Sequence, residues 1–294
     1  MPPGTTGLGE ESVRELAAHN PSHIYFTGRN EKAAQALISD VQAKHPNASL
    51  SFIKMDLSSL RAVKEGIAQG FKHDRLDILM NNAGIAASPP GLSADGYEVQ
   101  FATNHLGHAM LTQQLLPVLQ KTAQEPDSDV RIVNTASEAY AYHHLIKGGI
   151  SFSELDAGSP MSRTVLGPWV RYGQSKLANM LFTFEFARRY PEITCVCIHP
   201  GLVKTTMTTT GMSRSKQVFL GLSARLTGDK WIQPEEGVLN QLWTAVGAKK
   251  GELKNGAYYK PGGIEATKEL SAEAKDKTLA GRLWEWTEKV LQKF

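Results

Sequence analysis

The chain has 294 residues, 41% hydrophobic and 21% charged, with a net charge of +3; this is the composition of a globular protein able to bury a large core. Its Lys and Arg are scattered, which argues against a nucleic-acid surface, and no run of about 18 apolar residues offers a transmembrane span. Met1 to Thr6 lack the basic and apolar regions of a signal peptide, so a cytoplasmic location is expected.

In chain order, Gly7-Leu8-Gly9 is followed from Glu10 by a helical stretch. Ser22 to Thr27 reads as a strand, Ala33 to Ala43 as a helix, Leu50 to Met55 as a strand and Leu60 to Gln69 as a helix. Leu76 to Met80 is the next strand, about Ala94 to Leu119 a helix, and Val130 to Thr135 a strand. A helix from about Tyr172 to Tyr190 precedes the strand Ile193 to Ile198. That strand holds both cysteines, Cys195 and Cys197, on one face. No further ligands follow them at metal spacing, so they read as structural thiols in a reducing compartment, and no metal site is expected. Tyr258-Tyr259 marks a last short strand. In the terminal helix, Leu283 to Phe294, the stripe Leu283, Trp286, Val290 and Phe294 reads as core-facing.

Strands alternating with helices predict an α/β fold, a doubly wound parallel sheet with helices on both faces. Without repeats, low-complexity tracts or a linker, residues 1–294 read as one domain. Long insertions at about 140–170 and 206–231 interrupt it, and such segments beside an active site often form lids.

The chemistry centres on Tyr172-Gly173-Gln174-Ser175-Lys176. Residues four apart share a helix face, and a cation near a phenol favours the phenolate. That makes Tyr172 a candidate proton donor or acceptor. Asn81-Asn82-Ala83-Gly84 follows the strand ending at Met80, Ser137 follows the strand ending at Thr135, and His199 to Thr205 follows the cysteine strand. All lie at carboxyl ends of strands, where open α/β sheets bind ligands. His143-His144, without matching carboxylates or cysteines nearby in the sequence, reads as a surface pair.

On these motifs the chain resembles the short-chain dehydrogenase/reductase family, especially its retinol-dehydrogenase-like and fungal members, from about Gly4 to the Tyr258 region. The resemblance implies a Rossmann-type dinucleotide-binding catalytic domain and a tetrad of Asn104, Ser137, Tyr172 and Lys176. In it Tyr172 is the acid/base and Ser137 holds the substrate oxygen. Lys176 binds the nicotinamide ribose and lowers the Tyr172 pKa, and Asn104 positions a relay water. Gly7, Leu8 and Gly9 match the end of the family's glycine-rich loop. Asn82, Ala83 and Gly84 would line the adenosine ribose side, Asp56 and Leu57 the adenine, and Val203 and Thr205 the carboxamide. Arg29, with no carboxylate before Glu31, favours NADP(H) over NAD.

The family's loop begins with a glycine where this chain has Pro3, which lacks an amide hydrogen and cannot copy glycine geometry. No apolar run precedes it, so the first strand, central in this fold, is expected to be missing. Two readings stay open: a shortened form of a competent enzyme, which is preferred, or a variant with impaired cofactor binding. The functional expectation is an NADP(H)-dependent oxidoreductase interconverting a carbonyl and an alcohol on a lipophilic small molecule. Phe152, Leu155, Met161, Leu166 and Trp169 in one insertion, and Met207, Met212, Val218, Phe219 and Leu220 in the other, would roof its pocket. The alternatives are a catalytically silent binding or scaffold protein on the same fold, and a carbon–carbon double-bond reductase. A homo-oligomer is left open.

Overall fold

The computed structural model describes residues 5–155, 158–159, 161, 166–205 and 230–294; the expected roof residues from Met207 to Leu220 lie outside them. Helix α1 (Gly7–Ala17) precedes strand β1 (Ile24–Gly28). Helix α2 (Glu31–Lys44) is capped by the Asn30 side chain, which accepts from Ala33 N at 3.1 Å. Strand β2 (Leu50–Lys54) leads to α3 (Leu60–Gly70), capped in the same way by Ser59. After β3 (Ile78–Asn81), the short α4 (Val99–Phe101) passes through a π turn, Ala102–Leu106, into α5 (Gly107–Ala123). The helix expected from Ala94 thus begins at Val99, where the Glu98 carboxylate accepts from Phe101 N at 2.7 Å and fixes the start.

Strand β4 (Arg131–Thr135), helix α6 (Gly167–Arg189) and strand β5 (Thr194–Ile198) form the centre of the molecule. Helix α6 starts five residues before Tyr172, with Pro168 in its first turn. Strands β6 (Leu202–Val203) and β7 (Trp231–Ile232) pair in parallel, followed by α7 (Pro234–Leu242), β8 (Tyr258–Lys260), β9 (Ile264–Glu265) and α8 (Lys277–Leu291).

Strands β3, β4, β5 and β8 run parallel, and β9 adds an antiparallel edge. Alternation along the strands sends Leu79, Ile132, Cys195 and Cys197 into a large core with α5, α6 and α8. Val133, Val196 and Ile198 point to the opposite face, against Ala245, Ala248 and Leu253. Both faces are covered, as a doubly wound sheet requires. Both cysteines are buried free thiols, and burial pushes them up from the ordinary thiol range. Leu283 and Val290 are buried, and Trp286 and Phe294 pack half-buried against the same core, so the terminal stripe faces inward as expected.

The sheet is not continuous. Strands β1 and β2 pair with each other, Ile24 opposite Leu50, and form a separate two-stranded piece. Among the described residues no ladder joins β1 to β3.

Candidate functional site

Helix α6 carries Tyr172 and Lys176 on one face beneath the carboxyl end of β4. Lys176 Nζ donates to the Thr135 carbonyl oxygen at 2.8 Å and lies 5.7 Å from the centre of the Tyr172 ring. Asn179 Nδ2 reaches the same carbonyl at 3.3 Å. Ser137 ends the turn after β4, with its hydroxyl accepting from Ala139 N at 3.2 Å and sharing a hydrogen bond with the Tyr172 phenol. Gly173 permits that approach: a β-carbon there would stand 2.8 Å from the Ala139 carbonyl oxygen and 2.9 Å from Tyr142 Cβ. A side chain next to Tyr172 would push the Ser137 segment off the helix.

Asn104 sits in the π turn before α5, a distortion of the kind that recurs at functional sites. Its Oδ1 accepts from Ile85 N at 2.9 Å, and its Nδ2 donates to Ile85 O at 3.0 Å and to Ser175 Oγ at 2.9 Å. The side chain expected to position a relay water is therefore engaged with protein, clamping the loop after β3 to α6. Gly84 lies inside this clamp; a β-carbon there would be 3.3 Å from Asn104 Oδ1 and 3.5 Å from Lys176 Nζ. All four residues of the expected tetrad are thus brought to one place.

Burial dominates the electrostatics. It pulls Lys176 down to about 7, so the ammonium and the amine coexist near neutral pH. It pushes Tyr172 up to about 12, a rise moderated by the bond to Ser137. The expectation that Lys176 lowers the Tyr172 pKa is not met in this state, because loss of solvation penalises the phenolate and the ammonium alike. Trp169, Ala87, Tyr142 and Ala139 give Tyr172 an apolar surround. Of the expected roof, Trp169 stands there, whereas Phe152 and Leu155 pack into the main core, Met161 joins Ile146 and Val170, and Leu166 is exposed.

The expected nucleotide-binding residues follow the carboxyl edge of the sheet. Arg29 and Asp56 stand after β1 and β2 with 3.9 Å between guanidinium and carboxylate, both well exposed. Leu57 is buried against Gly107 of α5, where a β-carbon would lie 2.9 Å from Leu57 Cβ. Asn82 Oδ1 accepts from Thr135 Oγ1 at 3.3 Å, and its buried Nδ2 has no partner among the described residues. Ala83 is buried beside it. Gly7, at φ +57°, begins α1 directly, so the glycines form its first turn instead of a loop ahead of it. That turn meets the segment at and after β6: a β-carbon on Gly7 would be 3.3 Å from Thr205 Cγ2, and one on Gly237 would crowd both Val203 and Leu8.

Several contributors were not read from the sequence. Thr135 offers a backbone carbonyl, which no residue type signals. Asn81 Nδ2 donates to Thr112 Oγ1 at 3.0 Å and Asn134 Oδ1 at 2.9 Å, a buried network beneath the site. Arg171, beside Tyr172, forms a fully buried pair with Glu98 at 3.3 Å. His143 is a correction: it is buried, not a surface residue, with Nδ1 2.7 Å from the Tyr140 carbonyl oxygen and Nε2 3.3 Å from Glu273. Its carboxylate partner comes from 130 positions away; His144 is exposed, as expected.

Parallel strands β3 and β4, followed by Asn82 and Ser137, with a tyrosine–lysine pair on the helix packed beside them, define an α/β protein of the Rossmann type. Comparison with known proteins agrees. The family model described as short chain dehydrogenase matches residues 3–146. The short-chain dehydrogenase/reductase drtF of Aspergillus calidoustus is 33% identical over 304 residues, covering 99% of this chain and 92% of that protein. Retinol dehydrogenase 12 of Bos taurus is 37% identical over 206 residues, 69% of this chain and 60% of that one. The NADPH-bound carbonyl reductase from chicken fatty liver superposes with a TM-score of 0.62 at 26% identity, covering 89% of this chain and 95% of that one. The chain belongs to the short-chain dehydrogenase/reductase family of oxidoreductases, in its retinol-dehydrogenase-like branch.

The residues present fit a dinucleotide. Lys176 has one acceptor and two further N–H donors. The Asn82 amide presents an unused donor, and Gly84 leaves backbone where a side chain would intrude.

Proposed function

We propose that the protein is an NADP(H)-dependent oxidoreductase that interconverts a carbonyl and an alcohol on a lipophilic small molecule, with Tyr172 as acid/base. The observation that carries this reading is the convergence on one spot of the Tyr172–Ser137 hydrogen bond, the buried Lys176 and the Asn104 clamp. When bound, the nicotinamide supplies or accepts the hydride. Ser137 holds the substrate oxygen, and Tyr172 passes the proton to or from it. With the phenol held protonated well above neutral pH, Tyr172 is poised as the donor for carbonyl reduction. Lys176 holds the nicotinamide ribose, and Asn82, Ala83 and Gly84 line the adenosine ribose side. Asp56 and Leu57 flank the adenine, Val203 and Thr205 the carboxamide, and Gly7 to Gly9 the pyrophosphate through the start of α1.

Arg29 supports NADP(H): its guanidinium is 75% exposed after β1 and available to a 2′-phosphate. The apolar ring of Trp169, Ala87 and Tyr142 supports a lipophilic substrate. A cytoplasmic setting, supported by the two buried thiols, and a single catalytic domain over residues 1–294 belong to the same reading.

One observation favours a second reading. The break in the sheet lies beside the first turn of α1, so the pyrophosphate end is less complete than the nicotinamide end. On that reading the chain is a binding or scaffold protein of this family. Titration of the folded protein with NADPH and NADH by nicotinamide fluorescence separates the two. Preferential NADPH binding followed by turnover of apolar ketones or aldehydes is the expected result. Folded protein that binds neither nucleotide overturns the enzyme reading, and turnover only of small polar aldehydes or sugars overturns the substrate class.

A further inference from the structure

Outside the Tyr172–Lys176 site, one cluster of side chains has the composition of a metal centre. One ring nitrogen each from His143 and His144 and one carboxylate oxygen of Glu273 lie within 4.8 Å of one another. The two histidines sit in the last turn of the 3₁₀ helix Glu138–Leu145, which follows Ser137. Glu273 opens the short 3₁₀ turn Glu273–Lys275 ahead of α8. Read in sequence, the histidine pair lacked a carboxylate; the fold brings one from 130 positions away.

His143 is set up as a ligand. Its Nδ1 lies 2.7 Å from the Tyr140 carbonyl oxygen. A carbonyl only accepts, so Nδ1 carries a proton and Nε2 of the neutral ring presents its lone pair. Histidines that bind metals are held in this way through their other ring nitrogen. Nε2 stands 3.3 Å from Glu273 Oε2 and 3.3 Å from Ser271 Oγ. A lone pair thus faces a carboxylate, and Ser271, with a single hydroxyl proton, can serve only one of the two. Positive charge has to lie between them, as a second ring proton or as a cation. The group is braced on both sides. The Tyr140 ring stacks on His143 with centroids 5.6 Å apart, and its hydroxyl accepts from Ser271 N at 3.2 Å. On the other side α6 presses on the His143 backbone, where a β-carbon on Gly173 would stand 3.2 Å from His143 N.

The donor types choose among cations. Two imidazoles and a carboxylate suit Zn²⁺ and its first-row neighbours, whereas Mg²⁺ and Ca²⁺ take oxygen ligands. Ligands about 2.1 Å from one ion stand roughly 3–4 Å apart. The 3.3 Å between Nε2 and Oε2 already meets that, and His144, being exposed, is the ligand that closes in. We propose that His143, His144 and Glu273 hold a divalent ion of the zinc type, with a fourth position left to water or to Ser271. The ion ties the segment that follows Ser137 to the segment that leads into α8. The proposal does not depend on which nucleotide or substrate the protein takes.

The test uses the full chain after chelator treatment, titrated with Co²⁺ and then with Zn²⁺. One Co²⁺ per chain is expected, with the visible absorption of a four-coordinate site. Zn²⁺ should displace it, Mg²⁺ and Ca²⁺ should not, and Tm should rise by several degrees with the ion bound. His144 is exposed and Glu273 half-buried, so His144→Ala and Glu273→Gln should keep the fold. Each should weaken Zn²⁺ binding by at least about tenfold. Folded chain that takes up neither ion overturns the proposal. Uptake that either variant leaves unchanged places the ion elsewhere and also overturns it. NMR of the His143 ring separates an ion from a proton. Zn²⁺ should shift the Nε2 resonance and leave the Nδ1 proton in place. A proton that stays on Nε2 with Zn²⁺ in excess leaves only a His143–Glu273 ion pair and overturns the site. None of these readouts uses nucleotide binding or turnover, so failure of this proposal and failure of the enzyme reading are distinguishable.

Discussion

Tyr172 and Lys176 stand one helical turn apart, and burial acts on them in opposite directions. Replacing Tyr172 by Phe removes the only hydroxyl difference between the two side chains and keeps the ring against Trp169 and Ala87. Turnover should fall by at least about 10²-fold while NADPH affinity is broadly kept. Steady-state kinetics with a fluorescence titration checks both, and full activity in Tyr172→Phe refutes the acid/base role. Lys176 gives a pH-dependent prediction. Its amine binds a proton below about 7 in the folded protein and below about 10.5 when unfolded. Between those values the unfolded chain holds the extra proton, so stability rises with pH across that window. Below pH 7 the cost of the buried ammonium is fully present. Tm of the parent protein should therefore climb relative to that of Lys176→Met between pH 7 and 9. A constant difference between the two would show that Lys176 titrates normally.

At the level of elements, the placement of Tyr172 depends on how α6 begins. Arg171 is fully buried, with Nη1 and Nη2 donating to Met161 O and Ser88 O at 3.1 and 2.8 Å and its charge answered by Glu98. Glu98 in turn caps α4 just ahead of the π turn that holds Asn104. This pair links two of the tetrad's supports, and removing one charge strands the other. Glu98→Gln should cost about 3–5 kcal/mol in urea unfolding, and adding Arg171→Met should recover a large part of it. An additive double variant would show that the two charges do not compensate each other. None of this was legible in the sequence, because Glu98 and Arg171 look like ordinary charged residues until the fold brings them together across 73 positions. Strands β1 to β5 and β8 were legible, since apolar runs such as Ile193 to Ile198 read as strands at that length, whereas the two-residue strands β6, β7 and β9 carry no such run. Tyr172, Lys176 and Ser137 were legible because they share one helix face or follow a strand end, whereas Asn104, in the π turn before α5, was implied only by the family resemblance. Helix α7 was overlooked although Pro234 at its first position and Glu235 and Glu236 in its first turn are ordinary start signals. The burial of His143 depends on Ser271 and Glu273 from one segment far along the chain, beside the neighbouring Tyr140, and no local pattern encodes that.

Across the whole molecule, the interrupted sheet divides the core unequally. Strand β1 rests on a cluster of eight buried residues drawn from α1, α2, β1 and Ala48. Strands β4 and β5 are covered on both faces and joined to neighbours along both edges. Local opening follows buried apolar contact and the completeness of backbone pairing. The Phe26 amide should therefore exchange through an opening that is cheaper by a few kcal/mol than the one exposing Val133 and Val196. On the proposed reading, NADPH would touch Arg29 and Asp56 on the small piece and Asn82 and Lys176 on the large one. Saturating nucleotide would then narrow that gap, because a ligand that spans both pieces binds only while they stay together. Hydrogen exchange at Phe26, Val133 and Val196, with and without NADPH, measures both effects. Equal protection at all three amides without nucleotide would mean that the two pieces unfold as one unit despite the break between β1 and β3. An unequal start that NADPH leaves unchanged would confine the nucleotide to the larger piece and remove Arg29 and Asp56 from its binding site.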